Sequence, residues 1–70
     1  MTRKDYNLIA EAIRDARAKV AHESDNNPEV MRGANVALYE LAVILSGRFF
    51  DDNPRFDDNR WMVATEVLHN

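Results

Sequence analysis

The sequence has no cysteine, and it has only two glycines and two prolines in 70 residues. Without cysteine, the chain forms no disulfides and no thiolate zinc site, and it carries no thiol nucleophile. Gly33 and Gly47 are too isolated to form the glycine-rich loop that cradles phosphates. A chain of this length buries a small core and keeps a stability margin of a few kcal/mol. Its stability is therefore expected to come from close helix packing or from oligomerisation.

Long apolar runs are also missing. The least charged stretch, residues 33–47, contains one charged side chain, Glu40, and is too short to span a membrane. Residues 1–5 do not lead into the apolar core of a signal peptide. Together with the absence of cysteine, these features predict a soluble protein of a reducing cytoplasm with no membrane partner.

Helical periodicity dominates the first third of the chain. Thr2 and Asp5 resemble a capping box, with Asp in place of the usual Glu. Apolar residues then recur at steps of three and four, which is typical of a helix with one buried stripe. They are Tyr6, Ile9, Ile13, Ala16 and Val20. We expect helix 1 to span about residues 3–21.

The central segment is apolar on two sides. Asn27 followed by Pro28 is a strong helix start, and helix 2 is expected over about residues 28–48. Its broader face comprises Val30, Ala34, Ala37, Leu38, Leu41, Ile44 and Leu45, and its second face comprises Val36, Tyr39, Val43 and Phe50. A helix of a small soluble domain normally has one apolar stripe. We expect Leu41 in the core and the second face covered by the same chain or by a second copy.

The last third of the chain predicts a turn and a short helix. Pro54 is expected to open a single turn that presents Phe56 inward, after which Asp57 caps helix 3 over about residues 58–68. The expected buried side is Trp61, Ala64, Val67 and Leu68. The chain is thus predicted to be a single all-α domain, residues 1–70: a three-helix bundle with a long central helix that dimerises through Val36, Tyr39, Val43 and Phe50.

Signatures of catalysis or metal binding are weak. The acidic run 51–59 lacks the glycine and the bidentate glutamate that a calcium-binding EF loop requires at fixed positions. His22 and His69 have no neighbouring ligand or base at a useful spacing. Ser24 and Ser46 lack the context of an activated nucleophile. We therefore predict that the protein is not an enzyme and has no metal and no cofactor.

Charge is unevenly distributed along the chain, whose net charge is −3. Residues 2–21 are mildly basic, and the remainder is acidic. Arg3, Arg14 and Arg17 fall on one side of helix 1 and form the best candidate face for a charged partner. With Lys4 they support an alternative function, a small DNA-binding transcriptional regulator. The acidic remainder argues against nucleic acid as the partner.

Two stretches resemble a group of small proteins encoded by bacteriophages and prophages. They are MTRKDYxLIA at residues 1–10 and NPRFDxxRW at residues 53–61. In that group the last aromatic residue is more often Phe, and this chain has Trp61. The resemblance implies a phage origin and the cytoplasm of a bacterial host, and it supplies no catalytic residues. Small phage proteins of this kind often bind a host or defence protein. We therefore expect a non-catalytic protein-binding module that serves host takeover.

Overall fold

The computed structural model describes residues 1–25 and 27–67 and consists of three helices. They are α1 (Arg3–Glu23), α2 (Pro28–Asp52) and α3 (Asp58–Thr65). Each helix contacts the other two, and the molecule measures 39 × 18 × 15 Å. The predicted all-α fold of three packed helices with a long central one is confirmed.

The capping box of α1 forms as the sequence predicts. The backbone N–H of Asp5 donates to Thr2 Oγ1 at 3.3 Å, and the backbone N–H of Thr2 donates to Asp5 Oδ2 at 3.0 Å. The backbone N–H of Thr2 first, and then its side chain, donate to the Asp5 carboxyl and hold its pKa below the ordinary value of 3.8. The helix continues two residues past its predicted end, to Glu23.

α2 begins at its predicted position and extends beyond its predicted end. Asn27 Oδ1 accepts hydrogen bonds from the backbone N–H groups of Glu29 at 3.0 Å and Val30 at 3.4 Å. Gly47 keeps ordinary helical backbone angles and does not end the helix. The last turn is needed because it carries Phe49 into the core.

The turn after α2 and the start of α3 also follow prediction. Asn53 Oδ1 accepts from the backbone N–H of Arg55 at 3.1 Å, and Asp57 Oδ1 accepts from that of Arg60 at 3.0 Å. α3 is shorter than predicted and ends at Thr65, because Glu66 takes a left-handed conformation with φ of 61°. The predicted core residue Leu68 and His69 lie outside the described residues.

An aromatic cluster joins the three helices. The Phe49 ring lies 4.9 Å from Tyr6 of α1, 5.4 Å from Phe56 and 5.1 Å from Trp61 of α3, measured between ring centroids. Phe49 and Trp61 meet edge to face, the favoured geometry for aromatic pairs. The buried apolar residues are Ala10, Ile13, Ala42, Phe49, Trp61 and Val67. The predicted inward placement of Phe56 is confirmed, since it packs against this cluster.

The side of α2 that enters the core differs from the prediction. The expectation that Leu41 lies in the core is wrong, because 44% of Leu41 is exposed. Val30, Ala37 and Ile44 of the same predicted face are exposed as well. Ala34, Leu38 and Leu45 of the predicted face are half-buried, and Ala42 and Phe49, which lie outside that face, are buried. On this buried side the indole N–H of Trp61 donates to the Ala42 carbonyl at 2.9 Å, and Ala42 is fully buried.

Candidate interaction surfaces

The four residues predicted to mediate self-association share one exposed face of α2. The exposed fractions are 57% for Val36, 40% for Tyr39, 41% for Val43 and 52% for Phe50. We call these four residues the outer face. α1 and α3 pack on the other side of the helix, around Ala42. The structure therefore leaves accessible the second apolar face that the sequence identified.

Further apolar residues widen this accessible surface. Leu41 and Ile44 are exposed on the flank opposite Tyr39, and Val30 continues the same flank toward the start of α2. Glu40 separates the two apolar strips. Exposed apolar residues grouped on one helix in this way are typical of an interaction site.

The three arginines of the predicted charged face have three different surroundings. Arg17 is half-buried and donates from Nε to Asn35 Oδ1 of α2 at 3.2 Å, so it belongs to the α1–α2 contact. Arg14 Nε lies 3.6 Å from Asp15 Oδ1 and 4.0 Å from Glu66 Oε2. Arg3 lines a cavity near the start of α1. The arginines share a side of α1 but do not present one continuous cationic stripe.

That cavity has a volume of about 300 Å³. It lies between the start of α1, the turn after α2, and α3. Its wall includes the aromatic residues Tyr6 and Trp61 and three arginines, Arg3, Arg55 and Arg60. Sequence reasoning did not find this site because its residues come from both ends of the chain. The available signal was the pair of arginines in the stretch 53–61.

Within the acidic run 51–59, Asp57 caps the start of α3. Across the described ranges 1–25 and 27–67, no group of three or more His, Cys, Asp or Glu side chains is arranged to hold a metal ion. His22 lies in the last turn of α1 and is exposed.

Comparison of the chain with protein-family models, with curated proteins and with solved structures found no match. Among the residues that the structure describes, none of the helices combines the length and the hydropathy that crossing a membrane requires.

Proposed function

We propose that this protein is a non-catalytic protein-binding module that works as a homodimer, with the outer face of α2 as the contact between the two copies. The observation that carries the proposal is the exposure of Val36, Tyr39, Val43 and Phe50 on one side of a single helix. Apolar side chains left in water in a domain of this size favour association, because burying them releases the water around them.

The spacing of the outer face fits a second copy of the same chain. Val36 precedes Val43 by seven residues and Phe50 follows it by seven, while Tyr39 precedes it by four and Gly47 follows it by four. Seven-residue spacing keeps side chains directed at a partner helix. If two α2 helices pair antiparallel about a twofold axis at Val43, then Val36 faces Phe50 and Tyr39 faces Gly47.

The Gly47 position supports this register. A Cβ built at Gly47 meets nothing within 4 Å in its own chain, so the space above this residue is open to a large side chain. A twofold contact uses the same patch on both copies, and each residue that meets another is met by it in return. The outer face satisfies this requirement, because each large residue is paired with an apolar residue or with a glycine.

Substitution of Val43 tests the dimer. Val43→Glu places two like charges at the proposed axis, and we expect it to convert a dimer to a monomer without changing the helical circular dichroism spectrum. The matched control is Leu8→Glu, since Leu8 of α1 has a similar exposure and lies off the outer face. The measurement is size-exclusion chromatography with light scattering between about 1 and 100 μM, the usual range of weak dimers. A wild-type monomer throughout that range contradicts the proposal.

Cysteine cross-linking tests the register, and the natural absence of cysteine makes each introduced thiol unambiguous. Val43→Cys lies on the proposed axis and should form an intermolecular disulfide under mild oxidation. In the antiparallel register the two copies of Val36→Cys are separated by about 20 Å, which no disulfide spans. Equal cross-linking of both variants would indicate parallel helices instead.

The resemblance of the chain to small phage proteins extends this proposal. Its two stretches, residues 1–10 and 53–61, come together around the cavity, and no residue of the outer face lines it. A dimer joined through α2 therefore keeps that end of each copy accessible to a host or defence protein in the bacterial cytoplasm. The DNA-binding alternative gains no support from the geometry, because Arg14 and Arg17 are engaged within the chain.

A further inference from the structure

The cavity beside α1 has the size and the lining of a small-molecule site. Its volume of about 300 Å³ lies at the lower end of the range of ligand pockets. Three separate segments build it: the first two turns of α1, the turn after α2, and α3. Side-chain hydrogen bonds of Thr2, Asn53 and Asp57 hold the backbone of all three segments.

The charge of this cavity is opposite to that of the whole protein. Arg3, Arg55 and Arg60 line it against a single lining carboxylate, Asp57, although the net charge of the chain is −3. Within the described part of the chain, none of these three arginines takes part in an ion pair. Asp57 Oδ1 is already occupied by the backbone N–H of Arg60. The cavity thus keeps an excess of positive charge that suits an anion.

The apolar part of the lining includes aromatic side chains. Tyr6 and Phe56 are half-buried and contribute ring surface to the wall, with their centroids 4.9 Å apart, whereas Trp61 is 3% exposed and belongs to the core. Aromatic surfaces accept planar rings such as nucleobases by stacking. Guanidinium groups bind phosphate through paired hydrogen bonds. The arginines of the lining therefore suit a phosphate group, and its aromatic residues suit a planar ring, so the two together fit one ligand that carries both.

We propose that this cavity binds a small phosphorylated molecule that carries a planar ring, the chemical class of a nucleoside monophosphate. Arg3, Arg55 and Arg60 bind the phosphate group, and the aromatic wall receives the ring. Three arginines against one carboxylate match the charge of a phosphate dianion. The cavity shares no residue with the outer face of α2, so ligand binding in the cavity does not depend on the dimer.

The test uses the intact chain and adenosine monophosphate as the probe. Binding is measured by calorimetry and by the fluorescence of Trp61, the single tryptophan of the sequence and a residue of the cavity wall. We expect saturable binding of the probe. Adenosine and inorganic phosphate, each of which supplies half of the ligand, should bind at least about tenfold more weakly.

Arginine substitutions locate the binding. Arg55→Ala combined with Arg60→Ala should weaken binding by about tenfold or more, and Arg60→Lys alone should weaken it measurably because lysine lacks the paired donors. The control replaces Arg32 and Arg48 of α2, which are exposed and do not line the cavity. This control should bind as the wild type does. Circular dichroism melting confirms that each variant is folded.

Several results would overturn the assignment. The first is an absence of saturable binding up to about 10 mM adenosine monophosphate, where only very weak association remains. The second is equal affinity for adenosine and its monophosphate. The third is a loss of affinity in the control variant equal to that in the cavity variants. A 5′-phosphorylated oligonucleotide that binds when the monophosphate does not would assign the cavity to nucleic acid instead. Val43→Glu should leave probe binding unchanged, so that failure of the dimer and failure of the cavity are told apart.

Discussion

Trp61→Ala is the substitution for which the structure predicts the largest loss of stability. The indole is 3% exposed and lies between α2 and α3, with its ring edge to face with Phe49. Its Nε1–H donates to the Ala42 carbonyl at 2.9 Å. α3 has eight residues, and a helix of that length is not stable by itself in water. Trp61 therefore provides a principal attachment of α3 to the other helices.

The size of the effect follows from burial and hydrogen bonding. Truncation of a buried Trp to Ala typically costs about 3–5 kcal/mol, through lost transfer free energy and the cavity left behind. The lost indole donor adds roughly 1 kcal/mol. This total is comparable to the whole free energy of unfolding expected for a chain of this length. We expect Trp61→Ala to be largely unfolded even without denaturant, as a urea titration followed by circular dichroism would show.

Two further variants show whether this reasoning is correct. Trp61→Phe keeps most of the apolar volume and removes the donor, so it should cost clearly less than Trp61→Ala. Leu41→Ala removes an exposed leucine of α2 and should change the free energy of unfolding by about 0.5 kcal/mol or less. The account is wrong if Trp61→Ala retains wild-type stability, or if Leu41→Ala proves the more damaging substitution.

Two other predictions concern single polar groups. The Tyr6 hydroxyl is buried without a hydrogen-bond partner among the described residues. Tyr6→Phe should therefore leave the free energy of unfolding unchanged or raise it by up to about 1 kcal/mol, as measured by thermal melting. A clear loss of stability would contradict this prediction. The pKa of Asp5 is depressed in the folded chain, so its contribution to stability is present above pH 3.8 and is lost as the pH falls through the lower folded-state value. An NMR titration of the Asp5 carboxyl with a midpoint at or above 3.8 would contradict this assignment, and Asp5→Ala should remove the dependence.

The starts of the helices could be predicted from sequence, and their ends could not. Thr2, Asn27 and Asp57 each cap a helix through hydrogen bonds to residues two or three positions away, so the information is local. The end of α2 depends on distant contacts. α2 continues past residue 48 because Phe49 is drawn into the core by aromatic rings of α1 and α3. α3 stops at Thr65 through a left-handed Glu66, which is an uncommon conformation for glutamate.

The buried side of α2 also could not be predicted from the sequence pattern. Apolar residues occupy most of the circumference of this helix, so periodicity does not distinguish the core side from the outer side. The core side is the one on which the indole N–H of Trp61 donates to the Ala42 carbonyl, a contact between residues that are 19 positions apart. The cavity was missed for a related reason. Arg3 and Arg55 meet only in the folded chain, and the pattern on α1 grouped Arg3 with Arg14 and Arg17 instead.

The exposed apolar side of α2 and the small core of the chain are physically connected. α1 and α3 pack on the side of α2 that carries Ala42 and Phe49, and this arrangement leaves Val36, Val43 and Phe50 exposed. The proposed dimer would stabilise the folded chain by mass action, by on the order of 1 kcal/mol at a protein concentration ten times the dissociation constant. Stability gained in this way rises with protein concentration, whereas stability from the core does not. The melting temperature of the wild type should therefore increase on concentration, and that of Val43→Glu should stay constant.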